Sequence, residues 1–291
     1  MTSSIVETLV HYADGALTSD GTVVYVGPAS EGRVAVVLDT TACHPVDAAW
    51  PDQGADRGVI EIGGRGIRIL DSVVGATDGD GVYLGSELPA KKGAEGWTFF
   101  AAHIISADET VNVGEPAHVT VDGGYRAAVS AGHTGCHLAS LALNRAVAAG
   151  WSKEVMTDAA GSPNFDALAI DSSTITEHSS VDVYRLGKSL RRKGFAPAVL
   201  LDDLTGVEAS INATLAGWVT TDAAIHIEHD DDLLTGRRYW VAELPEGTVR
   251  IPCGGTHLTS LDQATAITVT LVAGEDNGTA TLRMETTVTP A

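Results

Sequence analysis

Two short motifs in distant parts of the chain set the strongest constraint on how it can fold. The first, His133-Thr-Gly-Cys-His137, opens the stretch 131–150, where Ala and Leu favour a helix and Gly150 is a natural stop. On a helix these two histidines share one face, so both imidazoles can point at one ion. The second, Cys253-Gly-Gly-Thr-His257, repeats the spacing in a glycine-rich setting that argues against a helix. Three imidazole nitrogens and a thiolate make a zinc-type ligand set, so His133, His137, Cys253 and His257 are the candidate metal ligands. Only a fold that returns residues 253–257 onto the helix face at 133–137 can assemble them. Cys136 lies about 100° around the helix from that face and is not expected to join.

The motifs leave two chemistries open. No glutamate follows the first histidine as it does in His-Glu-x-x-His, so a metalloprotease base is missing. Four bound ligands describe a closed structural site, or a hydrolytic one that must free or add a position. Gly254 and Gly255 favour the second slightly, because they permit close backbone approach to a ligand.

Ahead of the helix, short apolar runs alternate with Gly and Asp turns: 22–27, 33–39, 59–62, 67–74, 97–105 and 117–122. These read as β-strands of a small barrel or sandwich, with Val34–Leu38 central. The pattern changes at Gly123-Gly124. The expected class is therefore α+β: an N-terminal β-barrel-like domain over residues 1–122, then a mixed α/β domain over 123–291 with an antiparallel sheet. In the second part, 165–171 reads as a strand and 200–215 as a helix. Residues 237–243 and 248–253 read as strands, and the tail as two strands around Glu-Asp-Asn-Gly. His226 and His229 read as a strand residue and a surface residue.

Thirty-eight acidic residues against eighteen basic ones give a formal charge of −20. That excludes a generally basic nucleic-acid binder, including a DNA-binding protein, and restricts any polyanion contact to a local patch. One patch exists: Arg185, Lys188, Arg191, Arg192 and Lys193. It reads either as a solvated helix face or turn, or as a phosphate-contacting surface. Cys43, Cys136 and Cys253 are too few and too scattered for a disulfide framework. The sequence shows neither a secretory signal nor a membrane-spanning stretch, and cytoplasmic residence is the expectation.

From about residue 33 onward, the chain resembles the editing domain of alanyl-tRNA synthetase and its free-standing relatives, the AlaX trans-editing proteins. Cys253-Gly-Gly-Thr-His257 is close to the family's second metal motif in full, and His133-Thr-Gly-Cys-His137 matches the first. Upstream, Asp39-Thr-Thr41 and Pro45 match its Asp-x-Thr-Pro-Phe-Tyr-Pro stretch, and Gln53-Gly-Ala-Asp56-Arg-Gly58 its Gln-Pro-x-Asp-x-Gly. Arg126 stands where an arginine commonly precedes the first histidine. Ala42, Cys43 and His44 depart from the pattern, as does the longer segment Val46–Asp52 containing Trp50.

The resemblance implies a small β-barrel domain followed by an editing-type domain. It implies zinc held by His133, His137, Cys253 and His257, and hydrolysis of the ester joining serine or glycine to alanine tRNA. Thr41 would recognise a substrate hydroxyl and Gln53 would be a second pocket residue; if mischarged tRNA is the substrate, the basic patch read from local charge is expected to contact its phosphates. A hydrolase of small aminoacyl esters or amides, and a non-catalytic zinc-containing binding module, are the alternatives.

Overall fold

The computed structural model describes residues 5–291, which form two compact units. The first runs to Arg126 and takes in Ile227–Arg238 and Gly254–Thr256; the second comprises Ala127–His226, Tyr239–Cys253 and His257–Ala291.

The first unit is built on strands β1 (Leu9–Val10), β2 (Thr18–Pro28), β3 (Val34–Leu38), β4 (Thr40–Thr41), β5 (Gly58–Ile62), β6 (Arg65–Ile69), β7 (Asp71–Thr77), β8 (Val82–Leu84), β9 (Thr98–Ile105) and β10 (Pro116–Val121). Eight form an antiparallel sheet in the order β6-β5-β10-β2-β3-β9-β7-β8, and β1 pairs with β4 in parallel. β3 is interior, as its unbroken apolar run predicts. Val36 and Leu38 join one core cluster while Ala35 and Val37 join another, so both faces are buried. The expected barrel is not closed. β6 and β8 are the two ends of the sheet and do not pair, although the backbone bond from Leu70 N–H to Ile104 O (2.8 Å) shows how far it curls. Strand spacing sets the number of strands, but closure depends on tilt and stagger, which spacing does not encode.

The second unit contains most of helix α1 (Gly123–Ala146), then α2 (Phe165–Ala169), β11 (Ile170–Thr176), β12 (Ser179–Arg185), α3 (Lys188–Arg192), α4 (Ala198–Leu201) and α5 (Leu204–Val219). There follow β13 (Ile225–His229), which passes into the first unit at Ile227, then β14 (Arg238–Leu244), which belongs to the second unit from Tyr239, β15 (Gly247–Pro252), β16 (Ala264–Asp276) and β17 (Thr279–Pro290). The main sheet is antiparallel, β11-β12-β17-β16, and β14 pairs with β15 as a hairpin. The tail hairpin turns at Asn277 and Gly278, with φ of 48° and 73°, as its sequence predicts.

Helix α1 starts eight residues before the expected 131, because Asp122 Oδ1 accepts the Tyr125 N–H at 3.0 Å and caps a first turn that tolerates Gly123 and Gly124. His133 and His137 therefore lie mid-helix, where backbone geometry is best fixed. Gly132 and Gly135 let α1 approach the sheet closely: a Cβ at Gly135 would stand 2.6 Å from Val288 Cγ2. The strand expected over 165–171 is instead a helical turn capped by Asn164, with β11 starting at Ile170. On the far side of the sheet order, α5 covers the open edge of β16. Asn212 exchanges two hydrogen bonds with the Val269 backbone (2.7 and 2.9 Å), and Glu208 accepts from Leu271 N–H at 2.7 Å. Among the described residues, no helix is long and apolar enough to cross a membrane.

Candidate metal centre

Four side chains from two elements of the second unit converge. One turn of α1 stacks the His133 and His137 rings, with centroids 4.9 Å apart and planes 12° apart. The β14–β15 hairpin delivers Cys253 just past β15, and His257 follows across the two glycines. Cys253 Sγ lies 3.4 Å from His133 Nε2 and 3.2 Å from His257 Nε2. One donor atom from each of the four falls within 4.8 Å of the others. Trp240 on β14 is fully buried and stacks on His137 at 5.0 Å and 14°, which backs that ring against the cluster.

The residues present fit a metal ion. Tetrahedral zinc with its usual bond lengths sets sulfur–nitrogen separations of about 3.6 Å and nitrogen–nitrogen separations of about 3.3 Å. The observed sulfur–nitrogen distances are a few tenths of an ångström shorter. His137 Nε2 is buried and has no hydrogen-bond partner among the described residues, a cost that a cation would remove. Burial pushes the His137 imidazole down to about 4, so it is neutral at pH 7 and keeps a lone pair to donate. No carboxylate belongs to the group.

The two expected pocket residues, Thr41 and Gln53, sit in the first unit. Thr41 is fully buried. Its Oγ1 lies 2.9 Å from His103 Nε2 and accepts the Cys43 N–H at 3.0 Å. His103 Nδ1 faces the Val36 carbonyl at 3.2 Å, which assigns the ring proton to Nδ1. Thr41 therefore donates to Nε2. Burial holds His103 down at about 4, so the arrangement persists at neutral pH. Gln53 is spent on the ligand segment itself. Its Nε2 donates to Thr256 Oγ1 and its Oε1 accepts the Thr256 N–H, both at 3.0 Å. Asp56 and Arg126, noted separately in the sequence, pair with each other in the core; Arg126 also donates to the Ala42 carbonyl at 2.8 Å.

The basic cluster spans the end of β12 and α3. Lys188, Arg191, Arg192 and Lys193 are exposed, while Arg185 is half-buried and ion-paired with Asp276. Lys153, which sequence reasoning passed over, joins them by donating to the Arg192 carbonyl at 2.9 Å. Only the fold brings it there, so no local signal marks it. Thr134 and Trp240 were missed for the same reason. Asp14, His229 and Asp232 form a second group of possible ligands, in the first unit. There the imidazole is already occupied: Nε2 meets Asp14 Oδ1 at 3.0 Å and Nδ1 meets the Asp231 carbonyl at 3.2 Å.

Cys136 points away from the centre, as its helical position predicts, with Sγ 3.5 Å from Asp182 Oδ1. Burial pushes the Asp182 carboxyl up to about 6 from an ordinary 3.8. A raised folded-state value means that ionisation opposes folding, so this group leaves stability untouched below pH ~4 and lowers it as pH rises through ~6. Asp182→Asn is expected to stabilise the protein by roughly 2 kcal/mol at pH 8 and by little at pH 4. Urea denaturation at both pH values checks this, and equal gains at both would contradict it.

No family model matches the chain, and no curated protein matches it.

Proposed function

We propose that this protein is a zinc-dependent hydrolase that deacylates mischarged aminoacyl-tRNA, removing serine, glycine or a related amino acid. The carrying observation is the convergence of His133, His137, Cys253 and His257 on one point in the second unit. A borderline-soft set of three imidazoles and a thiolate suits zinc over magnesium or calcium. Zinc held there would supply Lewis-acid polarisation of an ester carbonyl.

The chain's own groups supply the rest. The Thr41 proton is committed to His103, so toward a substrate this oxygen can only accept. Recognition of a serine hydroxyl by Thr41 is what the family resemblance implies, and an oxygen that only accepts would favour serine over alanine. Gln53 holds Thr256, in its own unit, by two hydrogen bonds. Lys153 and the α3 cluster offer phosphate contacts. Neutralising Arg191 and Arg192 to glutamine is expected to raise the KM for charged tRNA several-fold and to reduce the log–log salt slope by about 2. An unchanged slope would remove the patch from the tRNA surface.

The reading is tested by deacylation of a panel of charged tRNAs with metal-loaded and metal-stripped protein. Rapid, metal-dependent release from one mischarged species is the expected result. The formal charge of −20 favours a second reading, hydrolysis of small aminoacyl esters or amides. Equal rates on an aminoacyl ester with and without the tRNA body would select it.

A further inference from the structure

We propose that Thr134 is a positioning residue of the metal centre, whose hydroxyl holds His257 with Nδ1 protonated and Nε2 turned toward the ion and fastens the ligand segment to α1. This rests on the metal reading of the cluster and is independent of the substrate. Thr134 is fully buried and lies between two ligands in sequence. The two nitrogens of His257 have different neighbours. Nε2 is 3.2 Å from Cys253 Sγ, itself 3.4 Å from His133 Nε2, so Nε2 faces the cluster. Nδ1 faces the other way, 3.3 Å from Thr134 Oγ1.

The remaining bond leaves two proton arrangements, and metal ligation through Nε2 selects one of them. Thr134 Oγ1 already accepts the Leu258 N–H at 3.1 Å, which leaves one lone pair for a second donor. If Nδ1–H donates to that lone pair, Nε2 is bare and can ligate. In the opposite arrangement the hydroxyl donates into Nδ1, the ring proton moves to Nε2, and His257 cannot bind an ion. An outer hydrogen bond of this kind commonly fixes both the tautomer and the ring plane of a ligating histidine. The β-branch of threonine restricts χ1 on a helix and so helps aim the hydroxyl. One turn of α1 thus supplies two ligands and orients a third, while Leu258 N–H ties the chain just beyond His257 to the same oxygen.

The test is zinc affinity measured by competition with a chromophoric chelator for the wild type, Thr134→Ser and Thr134→Val. Thr134→Val is expected to weaken zinc binding roughly 10- to 100-fold, with Thr134→Ser close to wild type. Equal affinity for all three would overturn the assignment. Should Thr134→Val fail to fold, the tautomer is read directly in zinc-loaded wild type by long-range 15N–1H correlation of the histidine rings. A protonated Nδ1 and a metal-bound Nε2 on His257 are expected; ligation through Nδ1 would overturn the proposal. Wild-type protein that binds no zinc would end it as well. Protein that binds zinc in this way but cleaves no aminoacyl ester would instead remove the deacylase reading.

Discussion

His137→Ala is expected to release the ion and abolish metal-dependent hydrolysis. The ring stands between His133 and Trp240, at 4.9 and 5.0 Å, with a buried Nε2 that none of the described residues satisfies. A structural zinc site is worth roughly 10–16 kcal/mol, so one ligand of four accounts for about 3 kcal/mol, near a hundredfold in affinity. Metal content after dialysis against a competing chelator measures the loss. Cys136→Ala is the control, because that sulfur faces Asp182, and it should keep its metal. If His137→Ala retained one zinc per chain at wild-type affinity, the ion would have to sit elsewhere.

Arg126→Met is expected to destabilise the first unit by roughly 3–5 kcal/mol, since removing one partner strands a buried charge. Arg126 and Asp56 are 6% and 3% exposed at their side chains, and the guanidinium meets both carboxylate oxygens. Asp56 also accepts the His44 N–H at 2.6 Å, and Arg126 donates to the Ala42 carbonyl. The pair therefore holds both ends of the short segment that follows Thr41. The double variant Arg126→Met, Asp56→Leu should recover part of the loss by removing the orphaned carboxylate. Urea denaturation of the three proteins measures it, and a single variant as stable as wild type would show that the pair contributes nothing net.

The ligand set was legible in the sequence because i,i+4 spacing on a helix is a local rule, and Cys-Gly-Gly-Thr-His repeats that spacing where glycine rules a helix out. What surrounds the ligands was not. Gln53 could be singled out only through the family resemblance, and its partner Thr256 lies 203 residues away, a pairing that no local pattern encodes. Trp240 reads as an ordinary apolar strand residue until β14 is placed against His137. The start of α1 was set too late because Gly123-Gly124 looks like a break, whereas Asp122 makes it a tolerable first turn. Phe165–Ala169 is too short for its period to separate a helical turn from a strand. The strands of the N-terminal sheet were legible one by one, but whether its two ends meet is a global property.

The division of ligands between α1 and the segment after β15 also orders events during synthesis. A growing chain exposes His133 and His137 long before Cys253 exists, and two imidazoles alone hold zinc weakly. Tight binding must wait until the β14–β15 hairpin has emerged and docked. On the proposed zinc reading, the ion would be captured late, and at free zinc well above its Kd it would stabilise only molecules that have reached that stage. The zinc content of a preparation would therefore report the fraction of chains that have finished assembling the second unit.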